Sequence, residues 1–138
     1  MTIEIFAKDL YPAIRKLVKV YEGVRITVMT KSMEPLLRNG KDKVEVVYSN
    51  GKDLDVGDIV LLEPADGIFA LRRIYRKTDL GYITKGDAYN RTDGIVFPEH
   101  VVGVVSKIYR GGREICAEKI RQRFKIPLWR KIIPVKSF

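Results

Sequence analysis

Residues 58–77 read DIVLLEPADGIFALRRIYRK, and this stretch decides the fold class. Two apolar runs rich in branched and aromatic residues flank the turn signal Asp66-Gly67, a pattern typical of two strands joined by a short turn. Four segments of the same kind surround it: VRITVM at 24–29, KVEVVY at 43–48, YITK at 82–85 and HVVGVVSKIYR at 100–110. Because glycine-containing turn signals separate these segments, the sequence predicts a mostly-β domain that is closed or strongly coiled.

The composition fits one globular domain with a short appendage. The chain has 138 residues, 46% of them hydrophobic, which excludes a disordered or collagen-like protein. No apolar run approaches the length of about 18 residues that a membrane-spanning helix needs. The first twenty residues carry charges throughout and lack the apolar core of a secretory signal, so we expect a cytoplasmic protein. With one cysteine, Cys116, and one histidine, His100, we expect no internal disulfide, no metal site and no cofactor.

The N-terminal segment has a different periodicity from the middle of the chain. Apolar residues at three- and four-residue spacing predict an amphipathic helix over residues 3–21, formed by Ile3, Phe6, Leu10, Ile14, Leu17 and Tyr21. Pro12 either kinks this helix or lies in the first turn of a helix that begins near Leu10. We therefore assign residues 1–22 to an N-terminal helix and residues 23–116 to the β domain.

The C-terminal segment, residues 117–138, is predicted to be a basic amphipathic tail that is partly helical. Its residues 119–138 contain seven basic residues and no acidic one, so they account for seven of the nine net positive charges of the chain. An apolar stripe at four-residue spacing runs through it, at Ile120, Phe124, Leu128 and Ile132. The stripe either packs on the domain or makes contact with a membrane surface or an acidic partner, which leaves a peripheral membrane location open.

Three segments carry the residues that point to chemistry. The first is TKSMEPLL at 30–37, the second joins LDVGD at 54–58 to LRRI at 71–74, and the third is KGDAYNRTD at 85–93. Each is weak alone, but in this order and spacing they resemble the signal-peptidase and LexA-like serine peptidase superfamily, especially its small soluble bacterial members. The resemblance covers about residues 24–110. It implies a coiled, barrel-like β catalytic fold that hydrolyses peptide bonds.

The resemblance also implies roles for individual residues. Ser32 matches the nucleophile, Met33 and Pro35 border the substrate, and backbone N–H groups around the serine form the oxyanion hole. A serine hydroxyl needs a general base to take its proton, and the family supplies a lysine or a histidine from a later strand. The matching position is Arg72. A guanidinium does not lose its proton at usable pH, so Arg72 cannot act as an ordinary base.

Two acidic residues match the positions that orient the base in the histidine-type members, namely Asp87 and Asp93. An arginine between two carboxylates can form a bidentate pair and become structural, which is the expectation for Arg72. A second departure from the family lies two residues before the serine, where Thr30 replaces the usual glycine. This change alters the backbone approach to the scissile bond.

Three other residues are alternative bases. Lys31 precedes the serine, but consecutive residues of an extended segment point to opposite faces. Lys85 precedes Asp87 and is close enough in the motif to reach the site. His100 is more typical of an exposed histidine at the end of a strand.

Two hypotheses about function follow. The first is a serine endopeptidase of the signal-peptidase type that holds its substrate in an extended conformation. Because Arg72 occupies the base position, this enzyme either uses another base or has lost its activity. The alternative is a catalytically degenerate module that binds a peptide or protein without cutting it. Only about 22 residues precede the β domain, too few for a helix-turn-helix domain, so sequence-specific binding of nucleic acid is not expected.

Overall fold

A computed structural model describes residues 2–5 and 12–122. These ranges contain nine strands and two α-helices. The strands are β1 (Thr2–Ile5), β2 (Gly23–Thr27), β3 (Lys43–Tyr48), β4 (Ile59–Ala65), β5 (Ile68–Lys77), β6 (Tyr82–Lys85), β7 (Ile95–Val96), β8 (Val101–Arg110) and β9 (Arg113–Cys116). The helices are α1 (Ile14–Val20) and α2 (Ala117–Gln122), and a short 3-10 helix spans Pro98–His100.

All nine strands belong to one sheet, in the order β1-β2-β3-β8-β4-β5-β6-β7, with β9 paired to β8. Every pair is antiparallel except β1 and β2. The predicted mostly-β domain is confirmed. The predicted barrel-like closure is wrong for the described residues, because no ladder there joins β1 to β7 and the sheet is open. β7 has only two residues and is too short to carry a closing ladder.

The N-terminal segment differs from its prediction. Thr2–Ile5 is a strand parallel to β2, and the helix spans only Ile14–Val20. The sequence TIEI alternates polar and apolar residues with the period of a strand, and this local pattern prevails over the longer helical one. Pro12 lies in a 3-10 turn just before α1, which begins at Ile14, so it is outside the first helical turn in which the alternative interpretation placed it. Phe6 and Leu10 lie outside the described residues.

Only the first part of the predicted C-terminal tail lies within the described residues. Ala117–Gln122 is helical and Ile120 is buried in the main core. Residues 123–138, which carry most of the predicted basic tail, lie outside the described ranges, so the tail's membrane or acidic partner stays a prediction. No helix in the described ranges has the length and apolar character needed to cross a membrane.

Hydrophobic residues cover both faces of the central strand β4. Ile59 and Leu61 join the main core, whereas Val60 and Leu62 join a second cluster on the opposite face. A strand covered on both faces needs apolar residues at successive positions, which explains the unbroken run IVLL. The main core also contains the buried side chains of Met33 and Leu37 from the segment between β2 and β3.

A buried carboxylate fixes that same segment. Asp42 is inaccessible to solvent and accepts hydrogen bonds from the guanidinium groups of Arg38 and Arg110. Arg110 also donates to the carbonyl of Leu36. Burial alone raises the pKa of Asp42, but the hydrogen bonds from Arg110 and Arg38 outweigh it and hold this pKa well below its ordinary value. The turn that follows Ser32 is therefore tied to β8 by charge-assisted hydrogen bonds.

Candidate functional site

Ser32 lies in the turn between β2 and β3, where its side chain is almost completely buried. Its hydroxyl donates to the backbone carbonyl of Leu71, at an Oγ–O distance of 3.3 Å. The Thr30 hydroxyl is 3.0 Å from Ser32 Oγ and also accepts the Ser32 backbone N–H at 3.1 Å. Thr30 is thus hydrogen-bonded both to the Ser32 hydroxyl and to the Ser32 backbone N–H, the group that the family resemblance assigns to an oxyanion hole.

Arg72 also donates a hydrogen bond to the backbone carbonyl of Leu71. Its Nη1 donates to the Leu71 carbonyl oxygen at 2.8 Å, and its Nε donates to Asp93 Oδ2 at 3.2 Å. Thr84 Oγ1 donates to the same Asp93 oxygen at 2.8 Å. Ser32 and Arg72 are therefore joined through one shared acceptor, and the guanidinium is anchored by a carboxylate.

The second predicted carboxylate, Asp87, does not contact Arg72. It forms a bidentate pair with the next residue, Arg73, at Nε–Oδ1 and Nη2–Oδ2 distances of 2.9 and 2.6 Å. Arg73 Nη1 also donates to the carbonyls of Gly57 and Ile120. Consecutive residues of a strand point to opposite faces, so one arginine takes each aspartate. The predicted bidentate clamp of Asp87 and Asp93 on Arg72 is thus wrong.

The loop that follows β6 packs directly against the serine turn. The Ala88 backbone N–H donates to the Ser32 carbonyl at 3.0 Å. A Cβ atom at Gly86 would lie 2.6 Å from that same carbonyl oxygen, so only glycine fits there without a shift. The Tyr89 ring, half-exposed, lies 5.5 Å from the guanidinium carbon of Arg72. The KGDAY segment therefore holds the serine turn and Arg72 in place through backbone and ring contacts.

A groove of about 310 Å³ lies beside the serine turn; Thr30 and Leu71, which contact Ser32, line it, but Ser32 itself does not. One wall is Thr27, Met29 and Thr30, and the other is Phe69, Ala70 and Leu71. The first wall is the end of β2 and the loop that follows it. The second wall is an edge of β5, because β6 pairs with β5 only from Arg73 onward in the described part of the chain.

The other predicted site residues lie elsewhere. Met33 is fully buried in the core and offers no surface to a substrate, whereas Pro35 is exposed. Lys31 is exposed. Lys85 pairs with Arg73 across the sheet, so its side chain leaves on the face opposite to Arg72. His100 Nδ1 accepts the Phe97 backbone N–H, a local contact at the start of β8.

Sequence reasoning missed three contributors. The Leu71 carbonyl acts through the backbone, which no residue pattern reveals. Tyr89 and the groove residue Phe69 carry no motif signal, although an aromatic residue near a site arginine is a hint of stacking. Among the described residues, no group of histidine, cysteine, aspartate and glutamate side chains has a metal-binding arrangement.

No protein-family model and no curated protein sequence matches this chain. The resemblance to the peptidase superfamily therefore rests on the three segments quoted above and stays a prediction.

Proposed function

We propose that this chain binds a peptide segment in an extended conformation, in the groove between residues 27–30 and 69–71, without hydrolysing it. The observation that carries the proposal is the hydrogen bond that the Ser32 hydroxyl donates to the backbone carbonyl of Leu71. A backbone carbonyl accepts a hydrogen bond but is not a base at neutral pH. The residue in the expected base position, Arg72, stays protonated and is held by Asp93.

The contacts of Thr30 also favour binding over cleavage. An oxyanion hole needs N–H groups that are free to meet a developing negative charge. The Ser32 N–H is already hydrogen-bonded to the Thr30 hydroxyl. Both the proton acceptor and one expected oxyanion donor are therefore missing from the arrangement that hydrolysis needs.

The groove itself supports an extended ligand. An unpaired strand edge offers alternate N–H and C=O groups to an incoming strand, and residues 69–71 of β5 form such an edge along the groove, because β6 pairs with β5 only from Arg73 onward. The groove lining is mostly apolar and includes Met29, half of whose surface is exposed. We further propose that the domain shares the catalytic fold of the signal-peptidase and LexA-like superfamily.

A second candidate is the serine endopeptidase. It is favoured by the position of Ser32, whose partners Thr30 and Leu71 both line the groove. The two functions differ in one observable, which is product formation that depends on Ser32.

The test combines binding and cleavage on one peptide pool. N-acetylated pentapeptides of Ala, Val, Leu and Met are incubated with the protein, and bound peptides and products are identified by mass spectrometry. We expect retention of peptides without products, and loss of retention in Ala70→Arg, which fills the groove. Ala117→Arg, at a similarly half-buried alanine on α2, is the matched control. Products that vanish in Ser32→Ala establish the endopeptidase instead, and absence of any retention refutes both functions.

A further inference from the structure

We propose that Arg25 and Tyr109 form a binding site for a carboxylate group. Both side chains lie on the face of β2, β3 and β8 that is opposite to the main core, because their neighbours Val24, Ile26 and Ile108 point into that core. Neither residue lines the groove beside the serine turn. This site is therefore separate from the proposed peptide groove, and the two can be tested independently.

The guanidinium of Arg25 is held against an aromatic ring but has no anionic partner in the described ranges 2–5 and 12–122. Its central carbon lies 3.8 Å from the centre of the Tyr109 ring, and its Nε is buried without a hydrogen-bond partner. A charged group that loses water and gains no hydrogen bond costs free energy, so such groups are rare in folded proteins. An anion that binds this guanidinium offsets that cost.

The two acidic neighbours of Arg25 bind other groups. Glu4 stands opposite Arg25 in β1 and pairs with the ammonium of Lys43, at an Oε1–Nζ distance of 2.9 Å. Glu45 stands opposite Arg25 in β3 and is only 7% exposed. Its two carboxylate oxygens accept hydrogen bonds from hydroxyl groups of β1 and β8. Both carboxylates are therefore engaged, although they flank Arg25 in the sheet.

The glycine at position 23 explains why Glu45 does not pair with Arg25. A Cβ atom at Gly23 would lie 2.7 Å from Glu45 Oε1, so the Glu45 side chain leans along the sheet toward Gly23. Arg25 leans the other way, to Tyr109, which stands opposite Lys43. The side chains of Arg25 and Glu45 thus leave their shared level of the sheet in opposite directions.

The accessible edge of the guanidinium favours a carboxylate. Arg25 is partly buried, with the ring of Tyr109 on one face and its Nε buried, so a ligand reaches it through Nη1 and Nη2. Two N–H groups on such an edge match the two oxygens of a carboxylate. Phosphate oxygens match them too, but Glu4 and Glu45 repel the second negative charge of phosphate. A singly charged carboxylate therefore fits the site better than phosphate.

The carboxylate comes either from an acidic peptide or from a small molecule, and an NMR titration distinguishes these sources. The probes are N-acetyl-Gly-Glu-Gly-amide, its Gln counterpart, sodium acetate and inorganic phosphate, each added at constant ionic strength. The Nε–Hε signal of Arg25 and the ring signals of Tyr109 report binding. We expect the Glu peptide to bind about tenfold more tightly than the Gln peptide, the range of one charge-assisted hydrogen bond, and more tightly than phosphate. Acetate that matches the Glu peptide in affinity identifies a small carboxylate as sufficient, whereas weaker acetate binding identifies the peptide side chain as the ligand.

Three variants test the assignment to these residues. Arg25→Gln is expected to reduce the preference for the Glu peptide to less than about twofold. Arg113→Gln removes the same charge from an exposed position of β9 on the other face of the sheet, and is expected to keep the preference. Tyr109→Leu keeps the guanidinium but removes the ring that holds it, and is expected to weaken binding of the Glu peptide about two- to fivefold.

Equal affinity for the Glu and Gln peptides, or tighter binding of phosphate, overturns the proposed carboxylate site. A preference that survives Arg25→Gln, or that falls equally in Arg113→Gln, also overturns it, since net charge then explains the effect. If Arg25→Gln does not fold, the wild-type spectra decide. Shifts that are largest at Arg25 and Tyr109 support the site, and shifts that leave these signals unchanged overturn it.

Discussion

Two substitutions should convert the proposed peptide site into a hydrolytic one. Arg72→His puts a titratable base in place of the guanidinium, next to Asp93, which Thr84 already holds in position through a 2.8 Å hydrogen bond. Thr30→Gly removes the hydroxyl that is hydrogen-bonded to both Ser32 Oγ and the Ser32 N–H. The first change supplies a proton acceptor, and the second frees an oxyanion donor.

The magnitude follows from these two roles. A positioned general base contributes roughly 10²- to 10⁴-fold to the rate. One oxyanion donor contributes roughly 10²- to 10³-fold. The double variant is therefore expected to hydrolyse peptide roughly 10⁴- to 10⁷-fold faster than the wild type, and its own factor is the upper limit for each single variant. Because groups that act as one unit are not additive, the single variants are expected to fall below these factors.

Internally quenched peptides of the retained sequences measure this rate. Activity of the double variant is expected to rise with pH through about 6.5, where the imidazole loses its proton and becomes a base. Adding Ser32→Ala must abolish the activity. If the folded double variant binds peptide but shows no hydrolysis that depends on Ser32, the roles assigned to Thr30 and Arg72 are refuted.

Three further perturbations test the framework of the site. Gly86→Ala is expected to lower the free energy of unfolding by about 1–3 kcal/mol in urea titration, because the new Cβ meets the Ser32 carbonyl; Gly94→Ala, with open space around its Cβ position, should change it by less than about 0.5 kcal/mol. The folded-state pKa of Asp42 is lowered, so its contribution is present above the ordinary aspartate pKa of 3.8 and is lost as the pH falls below it. Urea titrations between pH 3 and 7 should show this loss in the wild type and a flatter profile in Asp42→Asn. Arg73→Lys retains the charge but not the fork geometry, and is expected to lower the free energy of unfolding by about 1–3 kcal/mol; an unchanged value contradicts a structural role.

The sequence predicted the strands well where their apolar pattern was long. The segment 68–77 was predicted from its composition, and β5 spans Ile68–Lys77. β1 was not predicted, because four residues are too few to compete with a helical pattern that extends over the nineteen residues 3–21. Closure of the sheet was also not predictable, since it depends on whether the edge strands meet in space and not on their local sequence.

Three of the residues predicted for the site lie close together, but which aspartate pairs with which arginine was not predicted. Ser32, Arg72 and Asp93 lie together through the Leu71 carbonyl and one ion pair. Motif spacing placed Asp87 with them, but spacing says nothing about the face on which each side chain leaves its strand. The alternation of the backbone at Arg72 and Arg73 decides that question, and it sends the two carboxylates to different partners.

The separate pairing of Asp87 with Arg73 and of Asp93 with Arg72 changes which residues are informative about function. Asp87 matches the peptidase motif, yet both of its oxygens are used by Arg73, which also holds the carbonyls of Gly57 and Ile120. These contacts join β5 to the loop after β6 and to α2, a structural role that does not depend on peptide cleavage. The match at Asp87 is therefore explained by its structural contacts and carries no weight for catalysis. Only the contacts around Ser32 distinguish a peptidase from a peptide receptor. Hydrolysis needs a free backbone N–H at Ser32, which Thr30 binds, and a general base, whose position Arg72 occupies.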